Sequence, residues 1–374
     1  MHFKDIIFSR FYKKPQAFGL DISDSSIKVA LIQKKGKNFE LVSHNRTDIL
    51  EGVIKDGEIK KGNELIELIK KSIAETKGKK IKTCYAVCSL PEQHSFIKII
   101  QMPQMDIKEL RAAIKWEIEA NIPFPLEEVY VDWQIIKPVK NHLDHLDIVI
   151  NAVHKSSIDK YLDVLRRAGI EPVVLETESL ASIRSLIKDE FAPRPVLIID
   201  LGFDRTSFNI FAGNSIRFTS SISISNNQMI NKIAESLNIN WNEARILKLK
   251  IGLDKEKDGG KVFNILLPVL TKLAEQIKDC ISFYDQRSEH EHGYSGGVSK
   301  IILCGGGANL FGLPEYLSSW LKIPVVLGNP WINIFPDKKG KINLDKLLNI
   351  SYKEALGYTT VFGLALRGVN LEHL

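Results

Sequence analysis

The sequence predicts a duplicated α/β fold with a smaller subdomain inserted in its first half. A pattern in which an apolar strand ends at an aspartate, followed by a polar turn and an alternating strand, occurs twice, in FGLDISDSSIKVALIQ (18–33) and VLIIDLGFDRTSFNIFAG (196–213). A third strand and then helical spacing follow each copy, so the two halves repeat one topology. A glycine-rich turn lies in IILCGGGANLFGLPEYL (301–317), after the second copy.

Alternation and helical periodicity predict the elements of the first half. Strands are expected at 18–22, 27–33, 39–44 and 82–89, with a helix at 62–76. A strand at 96–101, a helix from the capping residue Asp106 to about 120, and strands at 129–137 and 146–154 follow. This strand-helix-strand-strand run, residues 90–155, is the predicted inserted subdomain. A helix at 156–168, capped by Ser156 or Ser157, a strand at 171–175 and a helix at 179–189 complete this half.

The second half begins after Pro193 and Pro195. Strands are expected at 196–201, 207–212 and 215–222, followed by helices at 227–237, 241–250 and 262–287. A strand at 300–303, the glycine turn, a helix at 314–320, a strand at 325–326 and a helix at 358–367 end the chain. The predicted domains are therefore a leader (1–16), a first subdomain (17–89, 156–194 and 355–374), the insertion (90–155) and a second half (195–354) with a helical part near 227–261.

Composition excludes several classes of protein. The chain has 374 residues, 44% hydrophobic and 26% charged, with a net charge of +6, which is ordinary for a globular protein. Its four cysteines form no C-x-x-C pair and indicate neither a disulfide framework nor a zinc site. No stretch approaches the roughly 20 apolar residues of a spanning helix. The start, MHFKDIIFSRFYKKPQ, is interpreted as a flexible leader, with an amphipathic membrane-surface segment as the alternative.

The two aspartate turns and the glycine turn predict a nucleotide site. Paired turns that face each other can clamp phosphates, and a glycine turn exposes backbone N–H groups that bind anions. Asp21 and Asp200 are expected to hold Mg²⁺ through water. The other predicted contributors are hydroxyls, small residues that permit close approach, and one lysine that could reach a phosphate: Ser25, Ser26, Thr206, Ser207, Gly202, Gly305, Gly306, Gly307 and Lys28.

These residues resemble the actin/Hsp70-type ATPase superfamily, whose fold is the ribonuclease H-like duplicated α/β fold. By that resemblance, 21–28 and 200–207 match the two phosphate turns, 176–186 and 357–367 the two connecting segments, and 305–309 the adenosine turn, with Asn309 at its end. The insertion MPQMDIKELRAAIKWEIEANIPFPLEEVYVDWQII resembles that of the PilM family of type IV pilus assembly proteins, relatives of the division protein FtsA.

The resemblance implies an actin-like scaffold that binds ATP and Mg²⁺. It implies a cytoplasmic protein at the periphery of the inner membrane, within a pilus or secretion platform. It also implies a partner, the short cytoplasmic N-terminal tail of a PilN-like membrane protein, along with other platform or motor components. Self-association stays open. Trp116, Trp133 and Phe124 of the insertion are expected either to pack its core or to line a partner groove.

Three positions depart from the superfamily pattern. Ser23 stands where the first D-x-G turn has glycine, and Asp24 adds a negative charge beside the expected phosphates. Of the E-x-x-K pattern near the adenosine, Arg245 replaces the glutamate and only Lys248 is retained. These changes predict weakened ATP binding and, at most, weak ATPase activity. Glu178 is the best-placed candidate general base by its motif position, with packing or a water-mediated metal contact as the alternative.

Two rival functions stay open at this stage. One is an FtsA-like division or filament anchor, and the other is a sugar or acetate kinase of the same superfamily. Two polar clusters contain histidine, one with His142, His145 and Asp147 and the other with His290 and His292. We interpret both as turns with solvated side chains, with a metal site as the alternative.

Overall fold

The computed structural model describes residues 16–36, 38–92, 95–136, 145–288, 297–335, 350–369 and 371. The chain divides into two compact units. The first unit comprises Met1–Glu190, Pro330–Ile350 and Thr359–Leu374, and the second unit comprises Phe191–Asn329 and Ser351–Tyr358. The division of these units into smaller subdomains stays a prediction.

The first unit contains a six-stranded sheet, a three-stranded sheet, a short hairpin and five helices within its described residues. In chain order these are β1 (Phe18–Ile22), β2 (Ser26–Lys35), β3 (Asn38–Asp48), β4 (Ile54–Lys55), β5 (Glu58–Ile59), α1 (Gly62–Ala74), β6 (Lys77–Gly78), β7 (Tyr85–Leu90), β8 (Ser95–Pro103), α2 (Ile107–Asn121), β9 (Val129–Ile135), β10 (His145–His154), α3 (Lys155–Arg167), β11 (Glu171–Thr177) and α4 (Glu178–Leu186). A last helix of this unit, α10, covers Thr359–Val369.

The second unit contains a five-stranded sheet and five helices in its described part. These are β12 (Ala192–Leu201), β13 (Thr206–Gly213), β14 (Ser215–Ile222), α5 (Asn226–Leu237), α6 (Trp241–Lys250), α7 (Lys261–Ser288), β15 (Lys300–Cys304), α8 (Leu313–Leu321), β16 (Val325–Leu327) and α9 (Tyr352–Ala355).

The two large sheets share one topology, which confirms the predicted duplication. Five strands of the first sheet lie in the order β3-β2-β1-β7-β11, and the second sheet has the order β14-β13-β12-β15-β16. In both, the first three strands are antiparallel neighbours and the last two run parallel to the central strand. Each unit buries its own apolar core around its sheet.

The inserted segment folds as a three-stranded sheet covered by one helix. Its strands lie in the order β8-β10-β9. Asp106 caps α2, as predicted, and also forms a capping box with Glu109; the helix buries Leu110, Ile114 and Ile118 against this sheet. Phe124 and Trp133 are partly buried against the same core, whereas the Trp116 side chain on α2 is 74% exposed. Two of the three aromatic residues therefore pack the core of this subdomain.

Two local predictions were wrong or incomplete. Neither Ser156 nor Ser157 caps α3, because the helix begins at Lys155 and its N-cap is His154, which makes no side-chain cap bond. The β4–β5 hairpin was not predicted, although its two-residue turn, Asp56-Gly57, has the positive φ values of 52° and 74° that such a turn requires. Its strands are two residues long, too short for an alternation signal.

Helix α10 packs tightly against α4 and β1. A Cβ atom on Gly363 would lie 1.8 Å from the carbonyl oxygen of Ala181 on α4, and one on Gly19 of β1 would lie 2.5 Å from the carbonyl oxygen of Val361. Glycine at these positions permits the close approach of the backbones. Beneath this contact, Arg184 forms a buried bidentate pair with Glu176 and also donates to the Gly363 carbonyl.

Candidate functional site

The first aspartate turn is a four-residue connection closed by serine side chains. β1 and β2 pair as Asp21↔Lys28 and Ile22↔Ile27, which leaves 23–26 as the turn. The Ser23 hydroxyl donates to the Ser26 carbonyl (3.0 Å) and accepts from the Ser26 N–H (3.2 Å). Ser23 is not among the described residues with positive φ, so its Cβ causes no backbone strain here. This turn therefore has no conformational need for glycine.

Asp21 lies at the centre of a buried polar network. Its Oδ2 accepts from Lys28 Nζ at 2.8 Å, and its Oδ1 accepts from the Ser89 hydroxyl at 3.0 Å. Ser89 Oγ in turn accepts from the Ile22 N–H at 3.1 Å. The network fixes the Asp21 carboxylate at the end of β1, where the predicted magnesium role would need it. Sequence reasoning missed Ser89, which follows the β7 residue paired beside Leu20.

Asp24 is turned toward the β4–β5 hairpin. Its Oδ1 accepts from the Gly57 N–H at 2.9 Å, and the Gly57 carbonyl accepts from the Tyr161 hydroxyl of α3 at 2.9 Å. Burial raises the pKa of Tyr161 above its usual range, and the carboxylates of Asp24, Glu178 and Asp21 raise this pKa further. The three carboxylates therefore lie within electrostatic reach of one buried phenol. The contact with Gly57 gives Asp24 a structural role beside its predicted effect on phosphate.

Glu178, the candidate general base, is the first residue of α4 and is half-buried. The next residue, Ser179, donates from both its N–H (3.2 Å) and its hydroxyl (3.0 Å) to the Glu92 carboxylate. Burial raises the pKa of Glu92, and these two hydrogen bonds from Ser179 oppose the rise. Glu92, which sequence reasoning missed, thus satisfies two donors in the first turn of the helix that carries Glu178.

The second aspartate turn repeats the register of the first. β12 and β13 pair as Asp200↔Ser207 and Leu201↔Thr206, again leaving four residues. Here glycine is required, because a Cβ atom on Gly202 would lie 2.8 Å from the Arg205 carbonyl oxygen. The buried Thr206 hydroxyl donates to the Ile224 carbonyl (2.7 Å). The Thr206 hydroxyl therefore already has a backbone partner. The other predicted hydroxyl residue, Ser207, lies on β13 directly opposite Asp200.

The glycine turn packs onto the end of β12. Gly305 has φ +80°, and a Cβ atom there would lie 2.2 Å from Asp200 Oδ1. A Cβ atom on Gly307 would lie 2.8 Å from the Leu201 carbonyl oxygen. Gly306 differs, because a Cβ atom at that position would meet no atom within 4 Å. Gly305 thus permits the close approach of the turn to Asp200, Gly307 permits its approach to Leu201, and the middle glycine faces open space.

Lys248 is buried on α6 and tied to the second aspartate turn. Its Nζ donates to Asn226 Oδ1 at 2.5 Å, and the Asn226 N–H donates to the Gly202 carbonyl at 3.0 Å. Burial, with a smaller contribution from Arg245, lowers the pKa of Lys248 to about 8. Arg245 itself is exposed. Asn226, which sequence reasoning missed, therefore links the retained lysine to the turn.

The structure brings the predicted residues together in two groups, one in each unit. Asp21, Ser23, Ser26 and Lys28 share the first turn, and Ser25 contributes its carbonyl to a bond from the Ile49 N–H. In the second unit, Asp200, Gly202, Lys248 and the glycine turn are joined through the contacts above, and Asn309 donates to the Lys353 carbonyl (2.8 Å). That both groups act on one nucleotide stays a prediction.

Two further observations concern metal and membrane. Among the described residues, no cluster of three or more His, Cys, Asp or Glu side chains is arranged to hold a metal ion. His145 lies 3.4 Å from Asp147, while His142, His290 and His292 are outside the described residues. No helix within the described ranges has the length and apolar character needed to cross a bilayer.

Comparison with known proteins supplies a family match. A family model described as type IV pilus assembly protein PilM matches residues 19–369. A chain of a solved PilM-PilN type IV pilus biogenesis complex is 25% identical with a TM-score of 0.76, over 96% of this chain and 99% of that one. The cell division protein FtsA of Pseudomonas aeruginosa is 26% identical over 181 residues, 45% of this chain and 43% of FtsA, so the match spans less than half of that relative.

Two further solved structures share the fold at lower identity. The ethanolamine utilization protein EutJ from Carboxydothermus hydrogenoformans is 16% identical with a TM-score of 0.52, over 98% of this chain and 93% of that one. MreB5 of Spiroplasma citri, solved with AMPPNP, is 14% identical with a TM-score of 0.53, over 95% of this chain and 96% of that one. These two similarities concern the fold alone.

Proposed function

Because the chain belongs to the PilM family of type IV pilus assembly proteins, we propose that it is an actin-like scaffold of a pilus or related secretion platform. In this role it binds the cytoplasmic N-terminal tail of a PilN-like membrane protein and binds ATP. The observation that carries the proposal is the match of the PilM family model to residues 19–369. The similar chain of the solved PilM-PilN complex supports the partner part of the proposal.

The two aspartate turns support the nucleotide part of the proposal. Both are four-residue connections with an aspartate at the last but one position of the incoming strand. Carboxylates at such places suit Mg²⁺ held through water, and the glycine turn beside Asp200 leaves open space at Gly306 for a nucleoside. When bound, Mg²⁺ would neutralise phosphate charge; Asp21 and Asp200 would orient its water shell. MreB5, a protein of the same fold, was solved with AMPPNP.

Turnover is not required by this function. Asp21 is already engaged by Lys28 and Ser89, and Glu178 is the remaining candidate for orienting an attacking water. The scaffold works by population shift, in which nucleotide favours one conformation and the inserted subdomain then binds its partner with a different affinity. A protein with this role lies at the cytoplasmic face of the inner membrane, held there by its partner.

Peptide binding tests the scaffold role. The full chain is titrated into a fluorescent peptide that copies the cytoplasmic N-terminal tail of a PilN-like membrane protein, with a scrambled peptide as control. We expect saturable binding of the native peptide alone. Because Trp116 is the exposed aromatic residue on the inserted subdomain, Trp116→Ala should weaken binding at least tenfold, and Trp320→Ala, which removes an exposed tryptophan from α8, should not. Equal binding of both peptides would refute the proposal.

The similarity to FtsA supports a second candidate, a filament-forming anchor. Filament formation predicts that sedimentation of the purified chain rises cooperatively with concentration when Mg-ATP is present. Monomeric sedimentation at every concentration, together with peptide binding, would leave the pilus scaffold as the function.

A further inference from the structure

The first unit presents a row of exposed lysines along one edge and one end of its sheet. We name this surface the lysine edge and define it by Lys34, Lys77, Lys79, Lys80 and Lys82. All five are exposed, and none makes an ion pair or a side-chain hydrogen bond within the described part of the chain. Nothing in the nucleotide or partner proposals uses these residues.

The backbone that displays these lysines is anchored to the sheet. β6 pairs with β3 at Ser43↔Gly78, and the Ser43 hydroxyl donates to the carbonyls of Lys77 (3.4 Å) and Lys79 (2.5 Å). The Lys79 N–H donates to the Val42 carbonyl at 2.8 Å. Ile81 packs against the core of the first unit, whereas its neighbours Lys80 and Lys82 are exposed. The lysines are therefore held in place on folded backbone.

The lysine edge extends away from the first aspartate turn. β2 runs from this turn at Ser26 to Lys35, and β3 returns from Asn38 to Asp48. The segment after β6 continues along β3 toward the Asn38 end, because Gly78 pairs with Ser43 and Lys79 bonds to Val42. Lys34 stands near that same end, opposite Phe39. The surface therefore begins at Lys77, beside the middle of β3, and continues to the end of the sheet opposite Asp21.

The charge of this surface is unbalanced. The nearest acidic residues along these segments are Glu75, which is exposed, and Glu40, which pairs with Lys35. Lysine on an edge strand discourages the pairing of strands between molecules, a role that would explain Lys77. It does not explain Lys80 and Lys82, which lie beyond the β6–β3 pairing.

The geometry points to an anionic bilayer as the partner: we propose that the lysine edge binds the headgroups of anionic phospholipids. Residues 77–82 span about 16 Å when extended, which is too wide for one phosphate. Lysines act as separate point charges, whereas nucleic-acid recognition favours arginine and stacking aromatic side chains, of which the lysine edge has none. Clusters of four to eight basic residues bind anionic leaflets in this way. The choice of a membrane rests on the proposed function, which places the chain beside one.

Vesicle flotation with the full chain tests the proposal. The probes are vesicles of phosphatidylglycerol with phosphatidylethanolamine, and vesicles of phosphatidylcholine alone, at about 0.1 M salt, where the Debye length is about 10 Å. Each lysine close to the surface is worth about fivefold in partitioning. Replacing four lysines with glutamine should lower partitioning to the anionic vesicles at least about 25-fold, the value for two lysines in full contact. The four are Lys77, Lys79, Lys80 and Lys82.

The matched control removes the same formal charge from the second unit. It replaces four exposed lysines of α6 and α7 with glutamine, and we expect less than about a threefold change, since the proposal assigns the contact with lipid to the lysine edge and not to the net charge of the chain. These lysines are Lys250, Lys261, Lys272 and Lys278. Far-UV circular dichroism and peptide binding, which should match those of the unsubstituted chain in both variants, check the fold and the proposed function separately from lipid binding.

Several outcomes would overturn the inference. Equal losses in the two variants would show that only the net charge matters, and an unchanged lysine-edge variant would place any lipid affinity elsewhere in the chain. Binding to a short RNA or DNA duplex that is tighter than binding to vesicles, and lost in the same variant, would assign the surface to nucleic acid. Because the vesicles contain no protein, failure of lipid binding would leave the scaffold proposal standing.

Discussion

The glycine turn offers a sharp test, because its neighbouring glycines differ in what surrounds them. At Gly306 a Cβ atom would enter open space, and φ is outside the left-handed region, so Gly306→Ala should change the free energy of unfolding by no more than about 1 kcal/mol. At Gly305 a Cβ atom would lie 2.2 Å from Asp200 Oδ1 and 2.6 Å from the Leu201 carbonyl oxygen. Overpacking costs about 1–3 kcal/mol, and the left-handed conformation of a non-glycine residue costs roughly 1–2 kcal/mol more.

Gly305→Ala should therefore lose about 2–5 kcal/mol of stability. Urea unfolding followed by tryptophan fluorescence measures this loss, and calorimetry with Mg-ATP measures nucleotide affinity. If the nucleoside lies against Gly306, then Gly306→Val should keep the wild-type unfolding midpoint and lose at least about tenfold in ATP affinity, or about 1.4 kcal/mol. A Gly306→Val protein that binds ATP as well as the wild type would refute the assignment of this turn to the nucleoside. Wild-type stability of Gly305→Ala would refute the packing argument.

Three further outcomes follow from the charged residues of the two units. Asp24→Asn keeps an acceptor for the Gly57 N–H and removes the charge, so it should raise ATP affinity by calorimetry, whereas unchanged affinity would show that the carboxylate does not act on phosphate. Because burial lowers the pKa of Lys248 to about 8, the unfolded state binds an extra proton between about pH 8 and 10.5, and stability should rise across that window by about 3 kcal/mol. Urea unfolding of Lys248→Met should lack this rise, and a persistent rise would contradict the cause. Arg184→Met leaves the buried Glu176 without its partner and should cost about 3–5 kcal/mol, while a loss below about 1 kcal/mol would show that the pair is not desolvated.

The sequence predicted the fold because its signals are local and strong. The two strands that carry the aspartates pair with the following strands in the same register, Asp21↔Lys28 and Asp200↔Ser207. In both, an apolar run ends at the aspartate and a polar turn follows, and this pattern is visible within a few residues of sequence. The cap at Asp106 could also be predicted, because a capping side chain bonds to N–H groups only two or three positions further along the chain. The cap of α3 was not, because His154 holds the position without any side-chain bond.

The candidate site was only partly predictable, because its contacts join residues far apart in the chain. Ser89 lies 68 residues from Asp21, and Tyr161 lies 104 residues from Gly57. The periodicity of apolar residues along the sequence does not predict contacts between residues so far apart. The contact between Ser89 and Asp21 follows from the order of the strands, which places the end of β7 beside the end of β1. The role of Ser23 within the turn could not be predicted from the sequence either. Its hydroxyl closes the turn by hydrogen bonds to the backbone of Ser26, and the sequence pattern alone showed only that a glycine was missing.

The most direct test of the central claim is calorimetry of the full chain with Mg-ATP. We expect one nucleotide per chain, with micromolar or weaker affinity that falls when Mg²⁺ is removed by chelation, because the carboxylates proposed to hold the ion would then repel the phosphates. Absence of heat at high protein concentration, or the binding of two nucleotides per chain, would contradict the proposed ATP site.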